Sequence, residues 1–213
     1  MHHPRIPVIP TAVAFFVTAT WSRPNLPYPD NTPWHGKPIE VVGNAVDAAY
    51  RRLAADVPRV RGVNPVGAAF NRALASGVAD ANPFDGIDAG KFDLCTYDHY
   101  RASAFGDDVE ALVVFGNATG VDPQALGRNE CSGFELEISS AQLVALQQVA
   151  HGALVAAGAT PSTPGAIKPA DRGSVRSRVA WALDCALPAP RIGRGSETHR
   201  ARDHHTFSSC HLH

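Results

Sequence analysis

The stretch Thr11-Ala12-Val13-Ala14-Phe15-Phe16-Val17-Thr18-Ala19 decides the fold, because two different objects fit it. It is apolar and follows Arg5, as the core of a secretory signal peptide would. It is too short to cross a bilayer, which takes about 20 apolar residues. Pro7 and Pro10 crowd its start, and Trp21-Ser22-Arg23-Pro24 follows at once. A short run rich in Val and Phe also suits a β-strand buried on both faces. The strand is the preferred reading, and it makes the chain an α/β protein. The compartment is not fixed by the sequence. Preferring a strand over a signal peptide tilts it toward the cytoplasm, and no transmembrane segment is expected.

Working outward, Pro24, Pro27, Pro29, Pro33 and Pro38 make residues 21–38 a loop, since no helix or central strand runs through so many prolines. A helix is expected from Pro38 to Asp56, with Pro38 at its first position. Val42, Val46, Ala49, Tyr50 and Leu53 share one face, and Pro58 ends the helix. Arg59 to Val66 reads as a short strand and Gly67 to Gly77 as a short helix. Val78 to Lys91 is a loop of repeated turns. Phe92 to Tyr97 reads as a brief apolar strand running into Asp98. Helices follow over Ser103–Thr119, stopped by Gly120, and over Ser139–Ala157, capped by Ser139 or Ser140. Alternation of strand and helix predicts a parallel sheet with helical layers. Two strands are convincing, fewer than a doubly wound sheet needs.

The 213 residues carry a formal charge of −1, supplied on the basic side almost wholly by arginine. No long basic run occurs in the first two thirds, which excludes the clustered charge of a nucleic-acid surface. Cys95, Cys131, Cys185 and Cys210 form no C-x-x-C pair, so neither a zinc nor a redox motif is read. A Cys95–Cys131 disulfide and idle buried thiols both fit, the second being preferred. From Gly158 to His213 the chain turns rich in Pro, Gly, Ser, Arg and His and reads as a disordered tail, with a helical turn or two at Val179–Leu187. His199, His204, His205, Cys210, His211 and His213 could ligate zinc, nickel or copper weakly, but their spacing matches no metal motif. No metal and no cofactor is assigned, and the oligomeric state is not legible.

Chemistry centres on Tyr97-Asp98-His99-Tyr100-Arg101. An acid between a short strand and a helix lies where α/β domains place their sites. Such a carboxylate works by orienting a histidine so that its other nitrogen accepts a proton. Three residues on is a workable spacing, and that position is Arg101. His99 is adjacent, and adjacent side chains diverge. The simpler local alternative is that Asp98 caps its turn or pairs with Arg101. Trp34-His35-Gly36 could line a pocket, though a loop pinned by one aromatic is the preferred reading.

An extended set of short strings carries a family resemblance. It runs through Ala19-Thr20-Trp21-Ser22-Arg23-Pro24, Pro33-Trp34-His35-Gly36-Lys37-Pro38, Asn64-Pro65-Val66-Gly67 and Val78-Ala79-Asp80-Ala81-Asn82-Pro83. It is closest at Tyr97-Asp98-His99-Tyr100-Arg101-Ala102-Ser103 and continues through Leu112-Val113-Val114-Phe115-Gly116, Thr119-Gly120-Val121-Asp122-Pro123 and Leu146-Gln147-Gln148-Val149-Ala150. Together these resemble the later half of bacterial SGNH (GDSL-like) hydrolases, over roughly Ala12 to Leu154. The resemblance implies a three-layer α/β/α sandwich with a parallel sheet and an esterase that cleaves acyl bonds. It implies a serine nucleophile in an early G-D-S motif, an oxyanion hole from middle motifs and a late D-x-x-H motif. Asp98 falls on the acid of that late motif, Arg101 falls on its base, and His99 lies between them. The early motifs are absent, and Arg101 stays protonated at ordinary pH. The expectation is therefore an N-terminally truncated SGNH-like domain over residues 1–157, impaired as an ester hydrolase or a pseudoenzyme. The alternative is a non-catalytic module holding a small ester or carboxylate, or a truncated gene product without activity.

Overall fold

A computed structural model describes residues 15–163. Among them the chain runs β1 (Phe15–Thr18), α1 (Glu40–Asp56), β2 (Val60–Asn64), α2 (Val66–Ala75), α3 (Ala104–Thr119), a 3₁₀ turn (Pro123–Leu126), α4 (Cys131–Glu135) and α5 (Ser140–Ala156). β1 and β2 pair in parallel, with Phe16 opposite Gly62 and Thr18 opposite Asn64. A parallel pair needs a crossover, and α1 supplies it. The chain is thus mixed α/β, with a two-stranded parallel sheet among the described residues.

The core lies between helices rather than on the sheet. α5 packs against α2 and α3. Phe70, Leu112, Leu143, Leu146 and Leu154 are each 2% exposed or less there. Local signals set the helix ends. Ser139 accepts from the amide of Gln142, and the Gln142 side chain returns to the amide of Ser139, closing a capping box on α5. Gly120 takes φ 70°, a left-handed value open to glycine, and its amide closes α3 on the carbonyl of Gly116.

Several expectations change. Phe15 is 45% and Phe16 38% exposed, so β1 is not buried on both faces; a sheet of two strands offers too little surface to cover it. α1 begins at Glu40, two residues after Pro38, and only the start of its apolar stripe is buried: Val42 is covered while Ala49 and Leu53 face solvent. The short α4 was not read from sequence, having too few residues to show a period. Cys95 is a free, buried thiol, so no bridge joins it to Cys131. Residues 158–163 are tied to the loop after α3, where the amide of Asp122 donates to Ser162 and that of Ser162 to Gly120, both at 3.0 Å. The helical turn at Val179–Leu187 and the His- and Cys-bearing tail lie outside the described residues.

Candidate functional site

Residues 92–97 form no strand. Phe92 and Cys95 make isolated bridges only, to Ala79 and Ala102. Asp93 contributes to this, because its side chain satisfies a local amide that a sheet neighbour would otherwise take. Asp93 accepts from the amide of Cys95 at 2.9 Å. The result is a tight turn, in which the amide of Thr96 donates to Arg101 (2.9 Å) and the amide of His99 to Thr96 (2.8 Å).

Asp98 sits inside that turn with four donors on one carboxylate. Oδ1 accepts from the Thr96 hydroxyl at 2.7 Å, the Tyr100 amide at 2.9 Å and the Arg101 amide at 3.0 Å. Oδ2 accepts from the Arg101 guanidinium. The Arg101 amide, then the Thr96 hydroxyl and the Tyr100 amide, hold this carboxyl far below the usual carboxylate range, and the Arg101 charge adds to the effect. Asp98 therefore favours the folded turn at every pH above the unfolded value of about 3.9, and that contribution fades as pH falls toward the folded value. Removing the acceptor should free two amides. In Asp98→Ala, native-state hydrogen exchange of Tyr100 and Arg101 should speed by about 10–100-fold, the span of a hydrogen bond to a charged group. Unchanged protection of both amides would show that the backbone alone holds the turn.

The structure brings Asp98 and Arg101 together and sends His99 elsewhere. His99 takes φ 53°. Its ring lies 4.2 Å from that of Phe84, in the loop after α2, and Phe84 in turn packs on Tyr28. No hydrogen bond joins His99 to Asp98 among the described residues, and its Nδ1 is buried without a partner. Ser103, the hydroxyl that follows the turn, is committed as the cap of α3. Its hydroxyl donates to the carbonyl of Asp93 at 2.6 Å and accepts from the amide of Gly106. Burial, with Asp93 and Asp98 nearby, pushes the Cys95 thiol up to about 12, so it is no thiolate at neutral pH.

A cavity of about 550 Å3 adjoins this turn. Tyr100 and Arg101 line it from the turn, Trp21 and Arg23 from the loop after β1, and Val42 and Val46 from α1. The loop clasps the turn directly: the Trp21 indole donates to the carbonyl of Tyr100 (3.3 Å), and the amide of Asn25 to that of His99 (3.3 Å). Trp21 is braced from behind by Phe70, ring on ring at 5.2 Å. Arg23 lies 4.5 Å over the Tyr100 ring and makes no ion pair among the described residues. Asp107, in the first turn of α3, also lines the cavity, and burial raises its carboxyl.

No protein-family model, curated protein or solved structure matches the chain. Sequence reading found Asp98 and Arg101 through their spacing. Trp21 and Arg23 had no functional role legible in the sequence, because nothing local points from them to Tyr100, far along the chain. His35 contacts the carbonyl of Pro29 at 2.9 Å within its own loop and is not among the residues lining the cavity. Among the described residues no group of three or more His, Cys, Asp or Glu is placed to hold a metal ion. No described helix is long and apolar enough to cross a membrane.

Proposed function

We propose that this chain is a carboxylate-binding module built on the later part of an SGNH-type α/β/α ester hydrolase, with turnover impaired. The observation that carries the reading is the closed Asp98–Arg101 pair beside the 550 Å3 cavity. Ester hydrolysis by a serine needs a neighbouring base that takes the hydroxyl proton and returns it to the leaving group. Arg101 occupies the base position and has no lone pair to offer at ordinary pH. Both oxygens of Asp98 are already taken by donors from the same turn, so the acid orients a guanidinium rather than an imidazole. Loss of the base alone removes several orders of magnitude of rate.

Binding survives that loss. The acid half of an ester is a carboxylate once released, and guanidinium groups on a partly apolar cavity are suited to hold it. Two measurements test the reading. With p-nitrophenyl butyrate, turnover by the full chain should equal the buffer background and stay there in Asp98→Asn. Titration calorimetry with butyrate should show saturable heat. Turnover above background that Asp98→Asn abolishes would restore a catalytic role. Heats no larger than dilution would remove the binding role.

A further inference from the structure

We propose that Arg23 is the anchor of this cavity, and that its ligand is a monocarboxylate with an apolar tail. The inference rests on the carboxylate-binding reading above and names the residue and ligand class that reading leaves open. Two guanidiniums approach the same ring, Arg23 at 4.5 Å and Arg101 at 6.0 Å from the centre of Tyr100. They are not equivalent. The charge of Arg101 is met by Asp98. Arg23 has no carboxylate partner among the described residues, so it is the cation of the cavity lining left to meet an incoming anion.

Arg23 is also held in place. Cation–π contact with Tyr100 restricts the guanidinium without consuming its N–H donors, which leaves the planar fork free for two parallel bonds to a carboxylate. The backbone that carries the Tyr100 ring is fixed in turn, since its amide donates to Asp98 and its carbonyl accepts from Trp21. Asp98 is thus a positioning residue: it shapes the turn that presents the ring on which Arg23 rests. The rest of the lining sets the ligand's body. Val42, Val46 and Ala102 supply an apolar wall. Asp107 is the acidic group of the lining, so every negative charge on the ligand beyond the one Arg23 meets adds repulsion.

Calorimetry on the full chain with acetate, butyrate, hexanoate, adipate and hexylamine tests each part. Hexanoate should bind about fifteenfold tighter than butyrate, since two more methylenes leave water at about fourfold each. Adipate and hexylamine should both bind more weakly than hexanoate. Arg23→Gln should weaken hexanoate by about 10–100-fold, the loss of a charge-assisted pair, with an unchanged thermal melt, and by more than Arg101→Gln does. Val46→Asp should weaken hexanoate far more than acetate. If Arg101→Gln abolishes binding while Arg23→Gln keeps it, the anchor is wrong and carboxylate binding stands. If adipate matches hexanoate, the apolar tail is wrong. If no carboxylate binds the unaltered chain, this inference and the reading beneath it both fall.

Discussion

Phe70→Ala is expected to destabilise the folded chain by about 3–5 kcal/mol, the span seen when a large aromatic is removed from a core. Phe70 is 2% exposed on α2 and belongs to the cluster that α2, α3 and α5 build together. Truncation forfeits its transfer out of water and leaves a hole that close-packed neighbours fill only in part. The effect reaches the cavity because the Phe70 ring backs Trp21 at 5.2 Å with an interplanar angle of 15°. Without it the indole loses its rear support, and the bond from Trp21 to the carbonyl of Tyr100 should loosen. Urea unfolding gives the stability loss, and near-ultraviolet circular dichroism should lose aromatic signal before the main transition. Phe134→Ala is the control: that ring is 68% exposed, and its removal should change stability by no more than about 0.5 kcal/mol. Equal losses in the two variants would contradict the assignment of the core.

The second large effect is a gain. Asp108 on α3 is 1% exposed, and neither carboxyl oxygen has a hydrogen-bond partner. Burial, and then the charge of Glu130, push its carboxyl up to about 7. Glu130 is better served, with the Ser132 hydroxyl at 2.6 Å on one oxygen and the Gln147 amide at 2.9 Å on the other. In the unfolded chain an aspartate ionises near about 3.9. From there up to about pH 7 the folded chain holds a proton that the unfolded chain has released, so stability falls as pH rises across that window and levels off above it. About three pH units at about 1.4 kcal/mol each put the full cost on the order of 4 kcal/mol. Asp108→Asn keeps the shape and removes the charge. It should stabilise the chain by several kcal/mol at pH 8 and by little at pH 4, measured by urea unfolding at both. An equal change at the two pH values would mean that packing, not ionisation, sets the effect.

The two variants bear differently on what can be read from sequence. Helix ends were legible because their causes lie within a few residues: Ser139 with Gln142, Gly120 after Thr119, Ser103 ahead of Gly106. The Asp98–Arg101 pair was legible for the same reason, at a spacing of three. The strand at residues 92–97 was misread because an apolar run does not reveal that Asp93 will take the Cys95 amide and that Asp98 will fold the chain back through the amides of Tyr100 and Arg101. Burial of β1 was overestimated because a run of Val and Phe states a preference for cover and says nothing of how wide the sheet is.

By itself, then, the sequence determined the α/β class, the four longer helices with their ends to within a few residues, and the spacing that lets Asp98 meet Arg101. Only the tertiary structure decided the cavity and its charge. Trp21 meets Tyr100 across 79 residues of chain, Arg23 comes to rest on the same ring, and Asp108 is buried near Glu130. The physical reason is range. Caps, turns and helical periods are settled by neighbours a few bonds away, while a pocket and a buried charge exist only once distant segments have packed and excluded water.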